Sequence, residues 1–289
     1  MAKSHSYLGI VLALASNLAG VSAADAPRVR LYVLDCGTLL VPDPSRFQLQ
    51  KHELAATDLA IGCYLVVHPK GTLLWDVCAA PDDEWSPANG AATVQVTLAD
   101  GQSRQVVERR RLSTQLIEIG FTAPEITYLA LSHYHYDHTA NANAFAASTW
   151  LVRRPERDAM FAVPPPPVTR PDTFRRLKTS RTVIVDVDDY DVFGDGSVIV
   201  KFAPGHTPGH QMLLVRLART GPVLLSGDLY HYPEERTLDR VPTFELDAAQ
   251  TRATRVAVER YLHETGARLW IQHDLKGDAS LKKAPAFYD

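Results

Sequence analysis

The chain has 289 residues, 46% of them apolar and 22% charged, with a formal net charge of −3. That is enough apolar material to bury a full core, which excludes a disordered or fibrous chain. Its charge signs are interspersed and leave no basic stripe, so nucleic acid is not an expected partner.

In chain order, residues 1–23 read as a secretion leader. Lys3 gives a positive start, residues 8–21 are an apolar run, and Val21-Ser22-Ala23 is the small-residue pattern behind which such leaders are cut. The apolar stretch, about 14 residues, is short of the roughly 20 that span a bilayer. The expectation is an exported protein, periplasmic or secreted, with no membrane association once the leader is gone and one catalytic domain over 24–289. Strands are expected at 30–34 and 63–67, with 68–71 as a turn and 72–76 as the returning hairpin arm. Apolar residues at Leu112, Leu116 and Ile119 have helical spacing, so 109–119 reads as a helix stopped by Gly120. Residues 126–131 read as a buried strand that runs straight into His133.

Residues 155–182 are the least ordered by composition. Four consecutive prolines, Pro164 to Pro167, fit neither a helix nor a central strand. The segment is expected to be an extended loop lying over a surface or cleft. After it, a strand over 197–203 leads into Pro204-Gly205-His206, and a hairpin of 212–217 and 223–225 ends at Asp228. Asp247 is placed to cap a helix reaching about residue 265, with Gly266 as its stop. A last strand, 269–271, ends at His273. Cys36, Cys63 and Cys78 allow at most one disulfide in an oxidising compartment. Spacing does not choose the pair, and buried free thiols are an equal alternative.

The chemistry gathers at strand ends, where open α/β sheets place their sites. The first cluster is His133-Tyr134-His135-Tyr136-Asp137-His138. Residues two apart in an extended segment share a side, so His133 and His135 can face one metal while Asp137 and His138 face a second. Gly205-His206-Thr207-Pro208-Gly209-His210 presents His206 from a tight loop. Gly227-Asp228 and Gln272-His273-Asp274 complete the set. Imidazole and carboxylate together suit zinc and similar metals.

These four motifs, in this order over roughly 29–275, resemble the metallo-β-lactamase superfamily. The resemblance implies an α/β fold of four layers, an αββα sandwich, with two divalent metal ions, most simply zinc. It implies His133, His135 and His206 as ligands of one metal, Asp137, His138 and His273 of the other, and Asp228 as the bridge. His210 matches no ligand in that pattern and reads as a residue that supports one. Asp76 would likewise orient a ligand, although Cys78 stands where the family usually has glycine. Hydrolysis by a hydroxide held between the metals is the implied chemistry, with Asp137 passing a proton to the leaving oxygen.

Residues 31–37, 63–65, 75–76 and 270–274 look most like the branch that opens the lactone ring of N-acyl-homoserine lactones, bacterial quorum signals. That branch commonly carries a substrate-contacting tyrosine three residues after the bridging Asp, where this chain has His231, with Tyr230 one step earlier. Tyr230 or His231 is therefore the expected donor to the substrate carbonyl, and Tyr136 and Tyr230 the expected rim of a lactone or ester site. Tyr134 reads as a packing ring. A glyoxalase II-like thioesterase or persulfide-oxidising enzyme is the alternative within the fold, and a non-catalytic metal-binding module the alternative outside enzymes. A homodimer is implied by the resemblance alone.

Overall fold

The computed structural model describes residues 28–86 and 90–289, with Met1. Apart from Met1, the expected leader lies outside the described residues. Two sheets face one another. The first has eight strands: β1 (Arg30–Leu39), β2 (Leu59–His68), β3 (Gly71–Trp75), β4 (Ala92–Thr97), β5 (Ser103–Glu108), β6 (Tyr128–Ala130), β7 (Thr149–Val152) and β8 (Thr182–Ile184), in the order β4-β5-β1-β2-β3-β6-β7-β8. The second has five: β9 (Asp189–Asp191), β10 (Val198–Phe202), β11 (Gln211–Leu217), β12 (Gly221–Leu225) and β13 (Arg268–Trp270), in the order β13-β12-β11-β10-β9.

Strand alternation builds the layers. Leu31 and Val33 of β1 point between the sheets and meet Val198, Leu213 and Val215 of the second sheet. Tyr32, Leu34 and Cys36 point to the outer face, where Leu112 and Leu116 of the helix Leu112–Glu118 cover them. On the far side, Val258 and Leu262 of the helix Ala248–Thr265 seal Met212, Leu214 and Leu224. The result is helix, sheet, sheet, helix. That long helix begins and ends as its sequence dictates. The Asp247 side chain accepts from Gln250 N at 2.9 Å, worth about 1 kcal/mol, and Gly266 takes a left-handed φ of 66° as its stop.

Several elements escape a reading of local pattern. The hairpin β4–β5 joins the C-terminal end of β1 through Thr38↔Val107 and Leu39↔Val106, although its strands are half polar. The stretch 155–182 is also more ordered than its composition implies: Arg154–Met160 and Pro171–Phe174 are helical, each with a proline in its first turn. The proline run itself carries neither helix nor strand but bends and turns, and Val168 at its end reaches the cavity described below. Among the described residues no helix is long and apolar enough to cross a membrane.

Candidate metal centre

Every chemical motif leaves a strand at the same edge of the sandwich. The two sheets are tied there by Gln211 N donating to Ser132 O at 2.9 Å, which sets the His133 segment against the His206–His210 loop. Two groups of buried donors result. His133, His135, His206 and Asp228 form one, and Asp137, His138 and His273 the other, with the donor atoms of each group within 4.8 Å of one another. The two residues after His135 begin the short helix Tyr136–Thr139, and that change from extended to helical backbone turns Asp137 and His138 toward the second group.

Asp228 joins the two. Its Oδ2 lies 3.5 Å from His133 Nε2 and 3.4 Å from His206 Nε2, while its Oδ1 lies 3.1 Å from both His138 Nε2 and His273 Nε2. One oxygen faces each group, as a bridging carboxylate requires.

His133 Nε2, His138 Nε2, His273 Nε2 and Asp228 Oδ1 are buried without a hydrogen-bond partner. Such orphans cost about 1–3 kcal/mol each, and cations between them would satisfy all four. Burial, reinforced by the neighbouring histidines, holds His133 and His135 below the usual imidazole range, favouring the neutral form that binds metal. Burial also acts against charge on His138, but Asp228, Asp76 and Asp137 outweigh it and raise its pKa. The carboxylates around His138 therefore favour positive charge at that position. The donor set fits divalent cations.

The supporting contacts are mostly long-range. Asp76 Oδ2 is 2.9 Å from His138 Nδ1, and its Oδ1 accepts from Ser132 N. Gln272 Nε2 donates to Asp76 Oδ2 at 2.9 Å, while Gln272 Oε1 accepts from Trp75 Nε1 and Gly227 N. His206 Nδ1 pairs with Glu245 Oε1 at 2.7 Å, and His273 Nδ1 donates to Ala60 O at 2.6 Å. His210 turns its Nδ1 to Ala203 O, and its Nε2 accepts the Asp228 backbone N–H at 2.9 Å. It lies outside both donor groups and holds the bridge by the main chain. Glu156 collects Thr207 Oγ1, Gly209 N and Tyr134 N, clamping the His206 loop to the His133 segment. The motifs gave no sign of Glu245 or Glu156, because Glu245 meets His206 39 residues away and Glu156 meets Tyr134, Thr207 and Gly209 across 22 to 53 residues. Gln272 stood inside a motif, without an assigned role.

The chain belongs to the metallo-β-lactamase superfamily. The profile of the Metallo-beta-lactamase superfamily matches residues 56–273, which contain all seven donors. The chain is 29% identical over 279 residues to the N-acyl homoserine lactonase AttM of Azorhizobium caulinodans, covering 90% of this chain and 99% of that one. It is 24% identical over 235 residues to an N-acyl homoserine lactonase of Bacillus cereus, covering 80% and 87%. Among solved structures, an N-acyl homoserine lactone hydrolase with N-hexanoyl-L-homoserine bound at its catalytic metal centre superposes with a TM-score of 0.73 at 22% identity, covering 89% and 98%. AidC, a dizinc quorum-quenching lactonase, superposes with a TM-score of 0.63 at 17% identity, covering 90% and 94%. This superfamily member shares the αββα fold of both structures.

In this metallo-β-lactamase relative a cavity of about 570 Å³ opens on the donors, lined by Asp137, Asp228, His135 and His273 at its floor. Leu39, Val41, Phe47, Leu59 and Phe244 form an apolar wall, and Arg104 with Gln105 from β5 a polar one. Tyr136 lines it with its hydroxyl unpaired. His231 lines it too, Nε2 directed at Asp228 Oδ2 and the ring held edge-on between Phe47 and Phe244. Tyr230 does not. Its hydroxyl donates to Glu259 Oε1 at 3.0 Å and its ring lies under the Arg255 guanidinium, beneath the long helix. The expectation that Tyr230 borders or polarises a substrate is corrected: consecutive residues here point to opposite sides, and His231 takes the cavity. Tyr134 packs in the core, as expected of a packing ring.

Proposed function

We propose that this protein is a metal-dependent hydrolase that opens the lactone ring of N-acyl-homoserine lactones, using two zinc ions held by His133, His135 and His206 on one side, Asp137, His138 and His273 on the other, and Asp228 between. The observation that carries the reading is the split of the Asp228 carboxylate at the floor of an amphipathic cavity. Such a centre, once loaded, supplies a water that ionises near neutral pH and a Lewis acid for the carbonyl. The chain's own residues do the rest. Leu39, Val41 and Phe244 take the acyl tail, at about 25 cal/mol per Å² of apolar surface buried. His231 donates to the carbonyl oxygen as charge develops on it. The Tyr136 hydroxyl borders the substrate, and Asp137 at the cavity floor passes a proton to the departing ring oxygen.

Its relatives' named activity supports a lactone over the thioester or persulfide substrates of the glyoxalase II type. The imidazole-carboxylate donor set supports zinc, and the leader pattern in residues 1–23 supports export. The test is a panel of acyl-homoserine lactones, aryl esters, thioesters and β-lactams against zinc-, manganese-, cobalt- and iron-loaded protein. The lactones should give the highest kcat/KM with two metals bound per chain. A thioester turned over faster than every lactone would reverse the assignment.

A further inference from the structure

A second group of reactive side chains converges away from the histidines. Cys36 lies in β1 where the pairing with β2 slips at a bulge, Cys63 lies in β2, and Cys78 follows Asp76 by two residues just beyond β3. All three are buried, with their sulfurs within 4.8 Å of one another and Cys63 Sγ 3.6 Å from Cys78 Sγ. From the Cys36 Cα the distance is 6.2 Å to Cys63 and 4.9 Å to Cys78. Both separations fall in the range of about 4.4–6.8 Å that a disulfide spans without backbone movement. A sulfur holds one such bond at a time, so whichever bond Cys36 makes, a third sulfur stands beside it.

We propose that Cys36, Cys63 and Cys78 form a three-sulfur redox site, in which Cys36 is bridged to Cys78 and Cys63 is the resident exchange thiol. The surroundings favour a neutral disulfide over a metal held by thiolates. The sulfurs sit in the apolar core with Leu34, Leu65, Leu74 and Val77, where burial penalises thiolate charge. Glu108, which accepts from the backbone of Ala80 two residues after Cys78, is itself pushed up to about 8 by burial. Cys63 is satisfied as the unbridged member, because its Sγ accepts the Cys78 backbone N–H at 3.1 Å.

The bond forms when the Cys36 and Cys78 thiols give two electrons and two protons to a donor disulfide of the glutathione or thiol-oxidoreductase class, which leaves as two thiols. Exchange needs no outside electrons: the Cys63 thiolate attacks Cys36 Sγ, the Cys36–Cys78 bond breaks, and the departing Cys78 thiolate takes up the proton that Cys63 released. The bridge ties β1 to the turn bearing Asp76, which positions His138. The sulfur site therefore bears on the metal centre through that turn.

The test is thiol counting on the full chain, made once in an oxidising compartment and once in a reducing one. Denatured without reductant and alkylated, the oxidised chain should take one label and the reduced chain three. Non-reduced peptide mapping should join Cys36 to Cys78. Cys78→Ser should move the link to Cys36–Cys63, and the reduced wild type should surrender its metals to a chelator faster than the oxidised form. Three labels on the oxidised chain would overturn the site, as would thiols that become reactive only after a bound soft metal is stripped. A Cys78→Ser chain without any link would overturn the exchange.

Discussion

His231 Nε2 stands 3.2 Å from Asp228 Oδ2, and Glu235 Oε1 stands 3.2 Å from the Nδ1 on the other side of the same ring. Glu235 is fixed in turn by Arg255 Nη2 at 2.6 Å. Burial disfavours charge on His231, but Glu235 and Asp228 outweigh it and push its pKa up to about 10. The ring is therefore held between two carboxylates, one at each nitrogen, at the wall of the cavity. His231→Ala should lower kcat on an acyl-homoserine lactone by about 10²–10³-fold, as loss of one donor to a developing oxyanion does, with metal content retained. Tyr230→Phe should cost under about threefold, since its hydroxyl serves Glu259. Steady-state kinetics with metal analysis on both variants decides it. Equal losses would mean that the ring is not the donor.

Asp228→Ala removes the side chain that faces both groups. Metal content should fall toward one ion per chain, and kcat by at least about 10³-fold. Elemental analysis after dialysis checks this. Two ions with full activity would show that the carboxylate does not bridge.

His210 and His206 share a loop and differ in role. His210→Ala frees the Asp228 backbone N–H but removes no donor from either group, so its loss should be on the order of 10–100-fold. His206→Ala should strip metal outright. Comparable metal loss in the two variants would exchange the assignment of the histidines.

Glu108 gives a pH dependence separate from the metal centre. Burial, as its largest influence, raises this carboxyl from an ordinary 4.5 to about 8, and one of its oxygens has no hydrogen-bond partner. The native chain therefore keeps this proton at pH values where the unfolded chain has released it. Stability should be highest below the unfolded value and fall as pH rises from about 4.5 to about 8. Glu108→Gln removes the penalty. Its Tm advantage over wild type should grow across that window and level off above it, with a gain of about 1–3 kcal/mol at the upper end. Thermal melts at several pH values test this, and a constant difference between the two proteins would contradict it.

The strands that end in chemistry, the long capped helix and the residues that form both donor groups are legible in local sequence. Those signals are local: alternation in 30–34, Asp247 and Gly266 at the two ends of one helix, three histidines and an aspartate within six residues. What it could not decide is how distant segments orient one another. Adjacent residues on a turn point to opposite sides, and only the packing of the helix Ala248–Thr265 sends Tyr230 inward to Glu259 and leaves His231 in the cavity. Glu245 reaches His206, Gln272 reaches Asp76, and Cys36 meets Cys63 and Cys78 because two sheets and a bulged strand bring them together. The half-polar hairpin β4–β5 is likewise held by β1 rather than by its own pattern, because strand pairing is a property of neighbours more than of intrinsic preference.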